Sequence, residues 1–251
     1  MLSIARSARL AAAVAVCAVS APAFAAALPM TLTINAGSAS AFHELTPNSV
    51  SGGAGIYNGT LTDNGDWNIF YNMNASSTVT STGGVQTGAS AYQNGSFSIT
   101  NLTAGEVTYL ITMSLPTEVA APMMGSFTGS VSGTLITSGV GLLATAGPGT
   151  ALWTAQTGGA TVEDLFENPF IAQRTTQGAT SIGSRSFGNP TPLATPAFGD
   201  TIGFTFHFRL SAGATASFTT ALSGVGTPVP APAAIAVLAG FGLAPSRRRR
   251  R

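Results

Sequence analysis

Residues 201–210 have the sequence TIGFTFHFRL, in which bulky apolar residues occupy every second position. The side chains of a β-strand point alternately to the two faces of its sheet, so this spacing predicts a strand with one buried face. The intervening positions hold threonine, glycine, histidine and arginine, which suit a wetter face. The predicted buried side chains are Ile202, Phe204, Phe206, Phe208 and Leu210.

The segments around this strand predict further β-structure. A turn at 211–213 leads to a second alternating segment, 214–222, which carries Phe218 and Leu222. The clearest hairpin joins residues 56–62 to residues 67–73 through Asn64-Gly65, a pair that tolerates the positive φ angles of a type I′ turn. Additional strands are predicted at residues 30–35, 96–102, 107–115, 126–137 and 151–154.

About ten short strands with frequent turns indicate an antiparallel β-sandwich, with a jelly roll among the topologies that fit. One short helix is predicted at 161–168, where Thr161 can cap, Asp164 follows three residues later and Asn168-Pro169 ends it. Residues 139–149 are rich in glycine and alanine and are predicted to form a loop. Residues 177–196 are predicted to be a long irregular segment, and Gly83-Gly84 and Asn94-Gly95 to be turns.

Charge is scarce and unevenly distributed. Charged residues make up 8% of the chain, against about 25% in ordinary soluble proteins. Residues 26–227 contain three arginines, no lysine and all nine acidic residues, a formal charge of −6. Without a basic patch, the body is not expected to bind nucleic acid.

The N-terminus has the pattern of a secretory signal peptide. Arg6 and Arg9 precede an apolar run at 10–20, and the small residues Ala23 and Ala25 offer a cleavage site after Ala25 or Ala27. An N-terminal membrane helix is the weaker alternative, because about 11 residues extend only ~16 Å across a ~30 Å core. Cys17 is the only cysteine, so the exported body has no thiol for a disulfide, a nucleophile or a metal.

The body offers little for catalysis. Its only histidines are His43, predicted in a loop, and His207, predicted on the polar face of a strand. No Gly-x-Ser-x-Gly elbow has a suitable context. We therefore predict that the protein is not an enzyme and has no cofactor, no catalytic residue and no metal site.

Two ligand classes remain as alternatives. Calcium could bind the acidic residues of 63–66 or of 163–167, although a turn and a helix terminus already explain them. Sugars could stack on exposed aromatic rings, although rings on alternating strands more often belong to the core. The aromatic residues considered for stacking are Tyr57, Trp67, Tyr71 and Trp153.

The C-terminus combines three features in order. A proline-containing motif is followed by an apolar segment at 233–244, which is predicted to be a hydrophobic helix, and then by a basic end. The motif consists of Val229, Pro230, Ala231 and Pro232. The basic end consists of Arg247, Arg248, Arg249, Arg250 and Arg251.

This tail resembles the PEP-CTERM sorting domain, with alanine in place of the usual glutamate between the prolines. The resemblance covers residues 228–251. It implies export in a bacterium with an outer membrane, processing by an exosortase-type enzyme, and a setting of exopolysaccharide and biofilm. Twelve helical residues extend ~18 Å, less than a ~30 Å hydrocarbon core, which favours a transient membrane address over a permanent span. A permanent tail anchor or a disordered tail is the alternative.

The sequence thus predicts a signal peptide at 1–25, a β-sandwich domain at 26–227 and a sorting signal at 228–251. The expected function is that of an exported cell-surface or extracellular-matrix structural protein. A surface-displayed glycan- or calcium-binding module is the alternative, and a secreted hydrolase is the third hypothesis. The expected partners are signal peptidase, an exosortase-like enzyme, the membrane and extracellular polysaccharide.

Overall fold

The computed structural model describes residues 28–120, 123–189, 191–194 and 196–229. β-strands are the predominant secondary structure of these residues, which contain no helix. Their strands, in chain order, are β1 Met30–Ala36, β2 Ala39–Leu45, β3 Ser49–Ser51, β4 Ala54–Asp63, β5 Trp67–Thr82, β6 Val85–Asn101, β7 Val107–Pro116, β8 Met124–Thr137, β9 Gly141–Thr145, β10 Ala151–Thr157, β11 Ala160–Glu167, β12 Ile171–Arg174, β13 Gly178–Phe187, β14 Thr201–Leu210 and β15 Thr215–Thr227.

The predicted end signals lie almost wholly outside the described residues. This applies to the signal peptide with Ala23 and Ala25, and to the tail from Pro230 onward, including the predicted C-terminal helix. Val229 is the one motif residue that the structure describes, and its side chain is exposed. Across the described ranges, no helix has the length and apolar character that crossing a membrane requires.

The strands form two antiparallel sheets packed face to face, which is a β-sandwich. Sheet A has the order β11-β10-β14-β7-β1-β2, with β9 also paired to β14 and β12 paired to β9. Sheet B has the order β13-β8-β15-β6-β5-β4-β3. The alternating segment 202–210 thus lies in β14, and all of 214–222 except its first residue lies in β15. These are interior strands of opposite sheets.

Aromatic side chains fill the space between the sheets. Phe206 of β14 lies with its ring centroid 4.5 Å from that of Phe218 on β15 and 5.5 Å from that of Phe97 on β6. All five apolar residues predicted from the β14 alternation are fully buried. The predicted strand and its buried face are therefore confirmed.

Two buried amides on β6 also join the sheets. The side chain of Gln93 donates a 2.8 Å hydrogen bond to the carbonyl of Ile202. The side chain of Asn101 donates a 2.9 Å bond to the carbonyl of Leu210. Both donors are fully buried, and their acceptors lie near the two ends of β14. Hydrogen bonds therefore connect β6 to β14 near both ends of β14.

The predicted hairpin is confirmed. β4 pairs with β5 from Asp63 opposite Trp67, and the two residues at the turn have positive φ angles, 38° at Asn64 and 90° at Gly65. Asparagine and glycine adopt such angles at low cost, which is why this pair fits a type I′ turn.

The predicted helix at 161–168 is wrong, because this segment forms the edge strand β11, paired with β10. The register shifts between Ala155 and Gln156, which leaves Val162 as an extra residue in a bulge. The bulge reverses the alternation, so Val162 and Leu165 are both buried although they are three residues apart. That spacing resembles a helical face, and it misled the prediction.

Three expected irregular segments also contain strands. The 139–149 segment includes β9, and the 177–196 segment includes β13, an edge strand paired with β8. Asn94-Gly95 is not a turn but lies inside β6. A β-carbon on Gly95 would lie 2.2 Å from the backbone oxygen of Asn72, so glycine permits a close approach of two strands there.

Candidate functional site

The two histidines do not form a common site. His43 is in β2, not in the predicted loop, and lies opposite Leu32 on the inward-facing side of sheet A. His207 is on the outward-facing side of β14, opposite Leu110. The strand order places them three strands apart, about 14 Å at the usual strand spacing. They lie on opposite faces, so one catalytic centre cannot contain both.

Partial burial lowers the pKa of His207 below its ordinary value. Because the folded state then binds this proton less readily than the unfolded state, stability is lost as the pH falls from about 6.5. We expect His207→Gln to remove this part of the acid sensitivity. Urea unfolding at pH 7.5 and pH 5 measures it, and an unchanged difference between the two pH values would contradict the assignment.

The acidic residues do not converge on a metal. The described part of the chain has no group of three or more His, Cys, Asp or Glu side chains arranged to hold an ion. Asp63 and Asp66 flank the hairpin turn, where the amide of Asp66 donates to the carbonyl of Asp63. Asp164 accepts a 2.5 Å hydrogen bond from the Thr154 hydroxyl across the β10–β11 pair.

The aromatic residues considered for sugar stacking belong to the core, as the simpler interpretation predicted. Tyr57 and Trp153 are fully buried, and Trp67 and Tyr71 are nearly so. None of the four presents a ring face to solvent. An exposed aromatic platform must therefore come from other residues.

The outer face of sheet B is distinctive because it lacks charge. The interior strands β8, β15, β6 and β5 contain no Asp, Glu, Lys, Arg or His at any position. Their outward positions hold mostly serine, threonine and asparagine, while most inward positions are apolar apart from a few buried polar residues such as Gln93 and Asn101. Ordinary protein surfaces mix charges of both signs, so a broad polar face without charge needs an explanation.

Two depressions follow each other along β8, β15 and β6 on this face. The first has a volume of 440 Å³, and the residues around it include Phe70, Ser98, Thr134, Ser181, Ser217 and Thr219. The second has a volume of 220 Å³, and the residues around it include Tyr92, Asn94, Ser130, Ser186, Asn189 and Ser223. We call the two together the hydroxyl groove.

Strand pairing explains the shape of the groove. On β15, Ser217 lies between Ser98 of β6 and Thr134 of β8, and Ser98 in turn lies opposite Phe70 on β5. Six residues further along β15, Ser223 lies opposite Tyr92 of β6. Small side chains line the middle strands, and an aromatic ring stands near each end. Six residues of strand span about 20 Å.

Most polar groups of the groove are free to bind a ligand. Within the described residues, the protein's own hydrogen bonds there include the one from the Gly183 N–H to Ser181 Oγ. The side-chain hydroxyls of Ser98, Ser217 and Thr219 have no protein partner in that part of the chain. Phe70 is 49% exposed and Tyr92 is half-buried.

Sequence reasoning missed this groove. The usable signal was the absence of charge from 67–101, 124–137 and 215–227, combined with serine and threonine at alternate positions. What the sequence did not supply was the pairing order β8-β15-β6-β5, which gathers these distant segments on one face.

Comparisons with known proteins add little to this site. No family model matches the sequence, and no curated protein matches it either. Among solved structures, the carbohydrate-binding module TmCBM61 in complex with β-1,4-galactotriose is similar over 62% of this chain and 86% of that chain, with 8% sequence identity and a TM-score of 0.24. A TM-score this low carries no conclusion about shared fold or ligand.

Proposed function

We propose that the chain is an exported cell-surface or extracellular-matrix protein whose β-sandwich domain acts by contact and binding. The observation that carries this proposal is the uncharged outer face of sheet B with its hydroxyl groove. Extracellular matrices are rich in polysaccharide, and a polar face without charge can hydrogen-bond to such material without the desolvation cost of buried ions.

In this proposal, the N-terminal and C-terminal segments of the sequence direct export and sorting. The N-terminal signal peptide directs export, with cleavage after Ala25. The tail then halts at the inner membrane, and an exosortase-type enzyme recognises the motif that begins at Val229. Prolines keep such a motif extended and accessible. The exposed Val229 lies two residues after the end of β15, so the motif begins close to the sandwich and is exposed at its first residue.

The sorting proposal predicts a specific failure when the basic end is neutralised. Replacing Arg247 through Arg251 with glutamine removes the positive charges that hold the end in the cytoplasm. We expect the wild-type chain in the surface fraction to lack both end signals. We expect the variant to be depleted several-fold there and to carry an uncleaved tail. Cell fractionation with intact-mass measurement of each fraction decides this.

Arg185→Gln is the matched control, because it removes a positive charge from an exposed position in β13 instead of from the tail. It should leave sorting and processing unchanged. Recovery of wild-type chains from the surface with residues 1–6 and 241–247 both present would contradict the proposal. An equal loss in the control would show that sorting responds to charge in general.

A further inference from the structure

We propose that the hydroxyl groove binds a linear, uncharged polysaccharide chain lying along the strands of sheet B. This inference names the ligand class of the contact face and rests on the proposed function for the domain's exposure outside the cell.

The polar groups of the groove match those of a sugar. A sugar ring carries hydroxyl groups around its rim that both donate and accept hydrogen bonds, and a serine or threonine hydroxyl or an asparagine amide does the same. Ser98, Ser217 and Thr219 have free hydroxyls at the first depression, and the second is lined by the side chains of Asn94 and Asn189 among others. These side chains can hydrogen-bond to the hydroxyl groups of successive sugar rings, whichever position along the groove the polysaccharide takes.

The aromatic residues match the other surface of a sugar ring, where C–H groups form an apolar face. Phe70 stands beside the first depression and Tyr92 beside the second. An exposed aromatic ring offers a rigid apolar surface at a low cost in conformational entropy. The two rings lie near opposite ends of the groove, so a ligand long enough to contact both is an extended chain rather than a single sugar.

The absence of charge restricts the ligand further. Anionic chains such as polyuronates and nucleic acids are held mainly by arginine and lysine, and no residue around either depression is charged. A cation would need several carboxylate or carbonyl oxygens. These residues have no charged side chain to pair with a charged ligand, so the polymer that fits them is an uncharged one.

A protein partner suits this face less well. Cores of protein–protein interfaces are enriched in aromatic residues, methionine and arginine and are depleted in serine. The groove has no methionine or arginine, and most of its outward-facing residues are serine or threonine. Peptides that add to a sheet pair with the backbone of an edge strand, whereas the groove follows β8, β15 and β6 in the interior of sheet B. We therefore do not expect a second copy of the chain to occupy the groove, and the experiment below can detect one.

Binding is best measured with the full chain purified in detergent, by affinity electrophoresis and calorimetry. The probes are linear neutral glucans, galactans and mannans, with a polyuronate of matched length as the anionic comparison. We expect at least one neutral chain to bind with a Kd below about 1 mM, the polyuronate not to bind, and affinity to rise with chain length up to about 20 Å, the span of the groove.

Three variants test whether the ligand binds in the groove. Phe70→Ala and Tyr92→Ala should each weaken binding about tenfold or more, and Ser217→Arg should block the middle of the groove. Phe42→Ala removes an aromatic ring that is 66% exposed on sheet A and should change nothing. Unchanged melting temperatures separate lost binding from lost folding, and if a variant does not fold, chain-length dependence in the wild type and the other variants decides.

Several outcomes would overturn the inference. These are a folded wild-type chain that binds none of the neutral probes, binding that is unaffected by all three groove variants, or a preference for the polyuronate. Light scattering that shows a dimer broken by Ser217→Arg would assign the face to a second copy instead. Because binding is measured in purified protein, its failure leaves the sorting results standing, and a failure of sorting leaves the binding results standing.

Discussion

Replacing Phe206 with alanine is expected to lower the free energy of unfolding by about 3–5 kcal/mol, the usual range for a fully buried phenylalanine. The Phe206 ring is fully buried and contacts the rings of Phe97 and Phe218 across the sandwich and that of Phe204 on its own strand. Its removal opens a cavity where the two sheets meet. Urea unfolding of the fragment 28–229, followed by fluorescence, measures the change.

The control is Phe42→Ala, which removes the same atoms from the same sheet. Phe42 is 66% exposed on edge strand β2, so little buried surface is lost and the expected change is within about 0.5 kcal/mol. Equal effects of the two substitutions would mean that the aromatic cluster is not the centre of the core. A large effect confined to Phe206 would confirm the inward side of β14.

Phe206 also shows what the sequence could predict. Alternation with period two identifies both the strand and its buried face, because the geometry of one strand suffices. The Asn64-Gly65 hairpin was predictable for the same reason, since local φ preferences determine the turn. Both predictions depend only on residues close together in the sequence.

Features that depend on pairing between distant segments were not predictable. Strand β11 looked helical because its bulge exists only against β10. Strands β9 and β13 have weak patterns of their own and form because β14, β12 and β8 pair with them. The hydroxyl groove has the same origin, because its serines come from segments more than one hundred residues apart that only the sheet order brings together.

Asn101 was predicted only as a residue near the end of a strand, yet its side chain makes four hydrogen bonds. The amide nitrogen donates to the carbonyls of Gly105 and Leu210, at 2.8 and 2.9 Å. The amide oxygen accepts from the backbone N–H and the hydroxyl of Thr103, at 3.0 and 2.8 Å. The side chain is fully buried, so water cannot replace any partner that is lost.

We therefore expect Asn101→Asp to lower the free energy of unfolding by about 3–5 kcal/mol at pH 7, the range for an uncompensated buried charge. Aspartate has nearly the same shape as asparagine. However, a carboxylate oxygen takes the place of the amide nitrogen that donates hydrogen bonds, and it faces the carbonyl oxygens of Gly105 and Leu210. Asn72→Asp, at an exposed position on β5, is the control and should change stability by less than about 0.5 kcal/mol. Urea unfolding of the fragment 28–229 measures both.

The dependence on pH distinguishes this cause from a simple loss of packing. Burial and the facing carbonyls raise the pKa of the introduced carboxyl group in the folded state above its unfolded value of about 3.9. The destabilisation is therefore smallest below pH ~4 and grows by about 1.4 kcal/mol per pH unit until the folded-state pKa is passed. Asn101→Leu removes the same donors without adding an ionisable group, so its loss of stability should not vary with pH. If Asn101→Asp and Asn101→Leu lost stability with the same pH profile, lost hydrogen bonds alone would explain the loss. The carbonyls of Gly105 and Leu210 would then not face a buried charge in the Asn101→Asp variant.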